Sequence, residues 1–192
     1  MTAQIEPEQT FCEQNPTLAN WLFAAKDQQR ATNFPPTPGR KVVAELAAGL
    51  RPFAAFSLVA TDLGQQKLLG FVDYYPIAIG GEYHCLLLSP LSVHPDHKGN
   101  GIGGQLVEQS LAIAAGLGHQ RVLLKVKATE ADRLVPFYQR LGFAQNPAAV
   151  WPVPDEQPLV FTKALQPSAW AGVGGKVTHS GRLHKDLKLI AG

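Results

Sequence analysis

Residues 99–104 hold four glycines in six positions, directly after a lysine: Lys98-Gly99-Asn100-Gly101-Ile102-Gly103-Gly104. A β-prone run ends just before them at Val93, and an amphipathic helical pattern begins just after. Glycine reaches positive φ without strain and lets a ligand come close to the backbone. Amides at the mouth of a helix have no acceptor within it, and the helix dipole adds partial positive charge there. A phosphate or pyrophosphate is the natural occupant of such a turn.

Three phosphate-binding patterns compete for this stretch. A Walker A loop needs Gly-Lys and then Ser or Thr; here Gln105 follows Gly104, which excludes a nucleoside-triphosphate loop. The dinucleotide pattern G-x-G-x-x-G is met as a string by Gly99, Gly101 and Gly104. That pattern should open a βαβ unit and be followed by an acid near the end of the next strand, whereas this strand ends Lys125-Val126-Lys127. A nucleotide-binding oxidoreductase fails on that topology. The third pattern sets a long polar residue before glycines two apart, (Q/R)-x-x-G-x-(G/A). Lys98 to Gly103 fits it except at the first position, where lysine offers charge without a bidentate fork.

A second segment, Pro136-Phe137-Tyr138-Gln139-Arg140-Leu141-Gly142-Phe143, lies downstream on a predicted helix. With Leu91-Ser92-Val93-His94-Pro95-Asp96-His97-Lys98-Gly99-Asn100-Gly101-Ile102-Gly103 before it, in this order and separation, the chain resembles the GNAT superfamily of N-acetyltransferases over roughly residues 53–165. The resemblance implies an α/β (α+β) fold: a mixed, mainly antiparallel twisted sheet of about six to seven strands flanked by helices. It implies acetyl-CoA as co-substrate and no metal. Backbone groups of Leu91, Ser92 and Val93 would pair with the pantetheine arm, and Lys98, Gly99, Asn100, Gly101, Ile102, Gly103 and Gly104 would hold the pyrophosphate. The Val93 amide would polarise the acyl carbonyl, and Tyr138 would protonate the departing thiolate. The acceptor would be a primary amine of a small molecule or a peptide. A non-catalytic acyl-CoA-binding or regulatory module of the same fold is the alternative. The general base stays open among Asp73, Glu82, His84 and Ser89, with His94 and His97 in the loop.

The elements that must position these residues are legible from periodicity. Phe53–Thr61, Lys67–Ile79 and Glu82–Val93 read as three strands joined by short turns, an antiparallel meander. The next helix runs from about Gly103 to Leu117, with Leu106, Val107, Ser110, Leu111 and Ala114 on one face and Gly116 and Gly118 as stop signals. Arg121–Lys127 is a short strand. Thr129 and Asp132 are spaced as a capping pair for the helix holding Leu134, Phe137, Tyr138 and Leu141, which Gly142 closes. Leu159–Leu165 is the last strand. Upstream, residues 1–14 read as a strand or arm. Asn15-Pro16 opens a helix carrying Leu18, Trp21, Leu22 and Ala25, and a second helix covers residues 40–50. By the resemblance these helices shape the acceptor pocket, with Trp21, Phe23 and Phe34 as lining candidates.

Composition sets the outer limits. The 192 residues are 45% hydrophobic and 17% charged, enough for a core, and the net charge of +2 leaves no nucleic-acid footprint. Residues 1–165 are expected to form a single domain, and 166–192 a basic extension serving as an edge strand, a subunit contact in a homodimer, or a mobile tail. Cys12 and Cys85 stand far apart in sequence, and neither a disulfide framework nor a zinc site is expected. The acidic N-terminus has no basic start followed by an apolar run, and no apolar stretch is long enough for a bilayer, so a soluble cytoplasmic protein without membrane or nucleic-acid partners is expected.

Overall fold

Alternating and continuous apolar runs lay down most of the strands. In the computed structural model the described residues are 3–15, 22, 56–62, 67–79, 82–150, 158–166 and 175–179, with backbone alone for 82, 83, 150 and 175–179. Among them the chain forms β1 (Gln4–Pro7), α1 (Glu8–Gln14), β2 (Phe56–Asp62), β3 (Lys67–Ile79), β4 (Glu82–Val93), α2 (Ile102–Gly116), β5 (Arg121–Val126), α3 (Ala131–Arg140), β6 (Ala144–Gln145), β7 (Ala149–Val150), β8 (Leu159–Ala164) and β9 (Gly175–His179). Hydrogen-bonded neighbours follow the order β1-β2-β3-β4-β5-β8-β6, with β9 pairing both β3 and β7. The sheet is mixed: β4 and β5 are parallel, as are β7 and β9, while β1/β2, β3/β9, β5/β8 and β6/β8 are antiparallel. Parallel neighbours need a crossover, and α2 supplies it between β4 and β5. This is the expected α/β architecture.

The chain divides into two compact units, Met1–Asp73 with Pro90–Leu106, and Tyr74–Ser89 with Val107–Gly192. In the first, Phe11 of α1, Leu22, Val59, Leu68 and Phe71 form an apolar cluster. In the second, Ile77, Ile79, Cys85, Leu87, Leu123, Ala149 and Val160 cluster, and α2 buries Val107, Ser110, Leu111 and Ala114 as its spacing predicts. A fully buried Leu or Val contributes roughly 1.5–3 kcal/mol. Tyr74 on β3 and Ser110 on α2 are joined by a buried 2.7 Å hydrogen bond. Ser110 Oγ in turn donates to the Val107 carbonyl at 2.8 Å, so the Tyr74 hydroxyl donates to Ser110.

Several local expectations are corrected. The N-terminal arm is a strand followed at once by a helix, and Asn15 closes that helix. Its N–H and its side-chain amide both donate to the Phe11 carbonyl, at 2.9 and 3.2 Å. Of the helix expected after Asn15, only Leu22 is described; it is helical and fully buried. The remainder, the helix over 40–50, and Trp21, Phe23 and Phe34 lie outside the described residues. Thr129 and Asp132 form no capping pair. Residues Ala128–Glu130 make a 3-10 turn, Glu130 becomes the N-cap of α3, and no side chain caps it. Leu159–Ala164 is not the last strand either, because β9 follows and pairs Ile77↔His179 through Ile79↔Val177. Among the described residues no helix is long and apolar enough to cross a membrane.

Candidate active site

The end of β4 is set by two contacts with β3. The His94 N–H donates to the Leu69 carbonyl at 2.8 Å. A Cβ placed on Gly70 would lie 2.6 Å from the Ser92 carbonyl oxygen and 3.3 Å from Val93 Cα. Only glycine permits so close an approach of two backbones without displacement. Both contacts direct the polar groups of Ser92 and His94 toward β3. Alternate residues of a strand point their backbone groups to opposite edges. The N–H and C=O groups of Leu91 and Val93 therefore face away from β3. The parallel ladder between β4 and β5 covers Cys85↔Arg121 to Leu87↔Leu123, while β4 itself continues to Val93. Beyond Leu87 the far edge of β4 is thus without a β5 ladder among the described residues.

The chain then turns into α2. Pro95–His97 form a 3-10 turn in which the His97 N–H reaches the His94 carbonyl at 2.9 Å, and the His94 side chain accepts from the Asp96 N–H. The His94 and His97 rings stand 5.5 Å apart, tilted by 54°. Gly99 and Gly101 adopt φ of 82° and 77°, a region closed to most side chains. A Cβ on Gly99 or Gly104 would meet nothing within 4 Å, so that side of the turn is open. The Gln105 N–H makes its bond to the Gly101 carbonyl at 3.0 Å. The amides of Ile102, Gly103 and Gly104 precede it and have no intrahelical acceptor. Ile102 and Leu106 anchor the helix start at 4% and 0% exposure, while Lys98, Gly99, Asn100 and Gly101 are exposed. Leu91, Ser92, Val93, Gly103 and Gly104 are half-buried. All ten residues expected to grip the co-substrate therefore lie on one continuous strand–turn–helix path. Gly70 is the residue that sequence reading missed. It stands in a β-prone run, and only its interior position in a strand hinted at a close backbone approach.

In the other unit, Tyr138 sits on the last turn of α3 at 7% exposure. Its ring meets Phe137 and Phe143 edge-on at 4.9 and 5.8 Å between centroids. Burial pushes its phenol up to about 12, with Arg133 opposing and Glu130 adding to the shift. The hydroxyl is thus a proton donor across the physiological range. Among the candidate bases, Asp73 is buried on β3, His84 is exposed and Ser89 half-buried; the Glu82 side chain lies outside the described residues.

A family model described as the acetyltransferase (GNAT) family matches residues 16–143. The chain belongs to the GNAT acetyltransferases. Its fold is similar to the GNAT N-acetyltransferase YhbS from Escherichia coli in complex with CoA, at 22% identity and a TM-score of 0.63, covering 95% of this chain and 92% of that one. It is similar also to a GNAT acetyltransferase from Brucella melitensis in complex with acetyl-CoA, at 22% identity and a TM-score of 0.59, covering 93% and 96%. The ribosomal-protein-S18-alanine N-acetyltransferase of Escherichia coli shares the fold at 18% identity and a TM-score of 0.54, covering 87% and 96%. No curated protein matches the sequence. As a GNAT member the chain is an acyltransferase.

Proposed function

We propose that this GNAT protein transfers an acetyl group from acetyl-CoA to a primary amine by direct attack within a ternary complex. The observation that carries this is the β4–α2 path: an unladdered strand edge leading into three acceptor-free amides at a helix start. Those features fit the two demands of a coenzyme A arm, an amide-rich tail and a pyrophosphate. Leu91 and Val93 pair with the arm, and the amides of Ile102, Gly103 and Gly104 take the pyrophosphate with the Lys98 charge beside them. The structures in complex with CoA and acetyl-CoA support this assignment by analogy of fold.

The thioester supplies an activated acyl carbon. The Val93 N–H is placed on the free edge of β4 and polarises the acyl carbonyl as the amine adds to it. Positioning carries most of the rate, since attack becomes unimolecular once both partners are held. As the C–S bond breaks, the electron pair goes to sulfur and Tyr138 provides the proton. A phenol kept protonated by burial suits that role. The attacking amine arrives largely as ammonium, its pKa being roughly 10.4 if lysine-like, and must lose one proton to solvent first. The second, shed by its nitrogen once the C–N bond has formed, restores the Tyr138 phenol.

Calorimetry with acetyl-CoA tests the grip, and thiol release across a panel of small amines and amino-terminal peptides tests turnover. Saturable binding with amine-dependent thiol release is the expected result. No binding at millimolar acetyl-CoA would overturn the proposal.

A further inference from the structure

The phenol of Tyr138 is only as well placed as the end of the helix that carries it. α3 finishes at Arg140, and its last carbonyls need donors. Three come from the turn itself. The Leu141 and Phe143 N–H groups both reach the Tyr138 carbonyl at 3.1 Å, and the Gly142 N–H reaches the Gln139 carbonyl at 2.9 Å, with Gly142 at φ 82°. A fourth comes from another element. Lys163 on β8 sends its ammonium to the Leu141 carbonyl at 2.6 Å. A Cβ on Gly142 would stand 2.8 Å from Lys163 Nζ and 3.5 Å from Cε, so the lysine stem lies directly over the turn. β8 is the firm partner: it is laddered to β5 through six register pairs, Lys163 opposite Val122. A cation at a helix C-terminus also complements the negative end of the dipole.

We propose that Lys163 is a positioning residue for Tyr138, clamping the α3 C-terminal turn to β8 so that the phenol is held at one depth and angle. This rests on the acid role given to Tyr138 above. The lever is short. Tyr138 supplies the carbonyl that closes the turn, its ring abuts Phe143 just past that turn, and the clamped carbonyl is three residues on. Removing the ammonium frees Leu141 and leaves Lys98 and the loop amides unaltered in sequence, so co-substrate binding should not change.

The test is a double-mutant cycle with Lys163→Met, which keeps the stem and removes the charge, and Tyr138→Phe, read as steady-state thiol release from acetyl-CoA with the best small amine of the panel. Expected are a fall in kcat of about tenfold for Lys163→Met with KM for acetyl-CoA within twofold, partial recovery in Lys163→Arg, and no further loss when Lys163→Met is added to Tyr138→Phe. Equal loss from Lys163→Met in both backgrounds would overturn the inference while leaving Tyr138 as the acid. A Tyr138→Phe enzyme with full kcat would remove the acid role, and the inference with it. Lys163→Gln guards against misfolding: it is shorter and uncharged, so if Lys163→Met does not fold, a Lys163→Gln variant of native melting temperature must show lowered kcat with unchanged KM, and unchanged kcat there overturns the clamp.

Discussion

At the residue scale, Tyr138 and Lys98 make separate demands. Tyr138→Phe keeps the ring contacts with Phe137 and Phe143 and removes only the hydroxyl, so kcat should fall by roughly 10²-fold or more with little change in KM for acetyl-CoA. Its pH signature has a definite sign. The folded phenol titrates near 12 and the unfolded one near 10, so between those values the native state binds more protons and stability falls as pH rises. The contribution is intact below pH 10 and lost by pH 12. Two units correspond to about 2–3 kcal/mol, and denaturant melts at pH 9 and 11.5 should show the native chain losing more than Tyr138→Phe. Lys98 is exposed, so Lys98→Ala should leave the melting temperature alone, weaken acetyl-CoA binding several-fold, and lessen its dependence on salt.

At the scale of elements, the β4–α2 path is held from beneath. Gly70→Ala would place a methyl 2.6 Å from the Ser92 carbonyl. The neighbour is backbone and cannot swing aside, so β4 must shift. Acetyl-CoA affinity should drop by tenfold or more in calorimetry, well beyond the effect of an alanine at Gly104, where the space is open. Gly101→Ala forces a side chain into φ 77° at a cost of roughly 1–2 kcal/mol, and should weaken binding and lower the melting temperature together. Most of these elements were legible in advance. Lys67–Ile79 and Glu82–Val93 read correctly because their β-prone runs are long and bounded by turn residues. The face of α2 read correctly because Leu106, Val107, Ser110, Leu111 and Ala114 keep a helical period. Thr129 and Asp132 misled because the capping spacing is a local signal, and the chain there winds a 3-10 turn first, moving the cap to Glu130.

At the scale of the whole molecule, the tail after Leu165 matters to the sheet. β9 pairs Ile77 and Ile79, both fully buried. A chain ending at Leu165 should expose that edge, melt several degrees lower and aggregate more readily. Acetyl-CoA at a hundred times its dissociation constant should raise stability by about 2.7 kcal/mol, a shift of roughly 5–10 °C for a chain of this size.

What the sequence determined by itself is what short-range chemistry specifies. Glycines at 99, 101, 103 and 104 ahead of a helical period have the form of an anion-receiving turn, and with the Tyr138 segment they pointed to the family and its co-substrate. What only the tertiary structure decided depends on groups far apart in the chain. That Ser92 and His94 face β3, leaving Leu91 and Val93 to the free edge, follows from Leu69 and Gly70 lying beneath them. That Lys163 closes the helix of Tyr138 follows from β8 returning beside β5. Periodicity records which side of an element is buried, but not which backbone lies against it, and strand pairing is where that second fact is written.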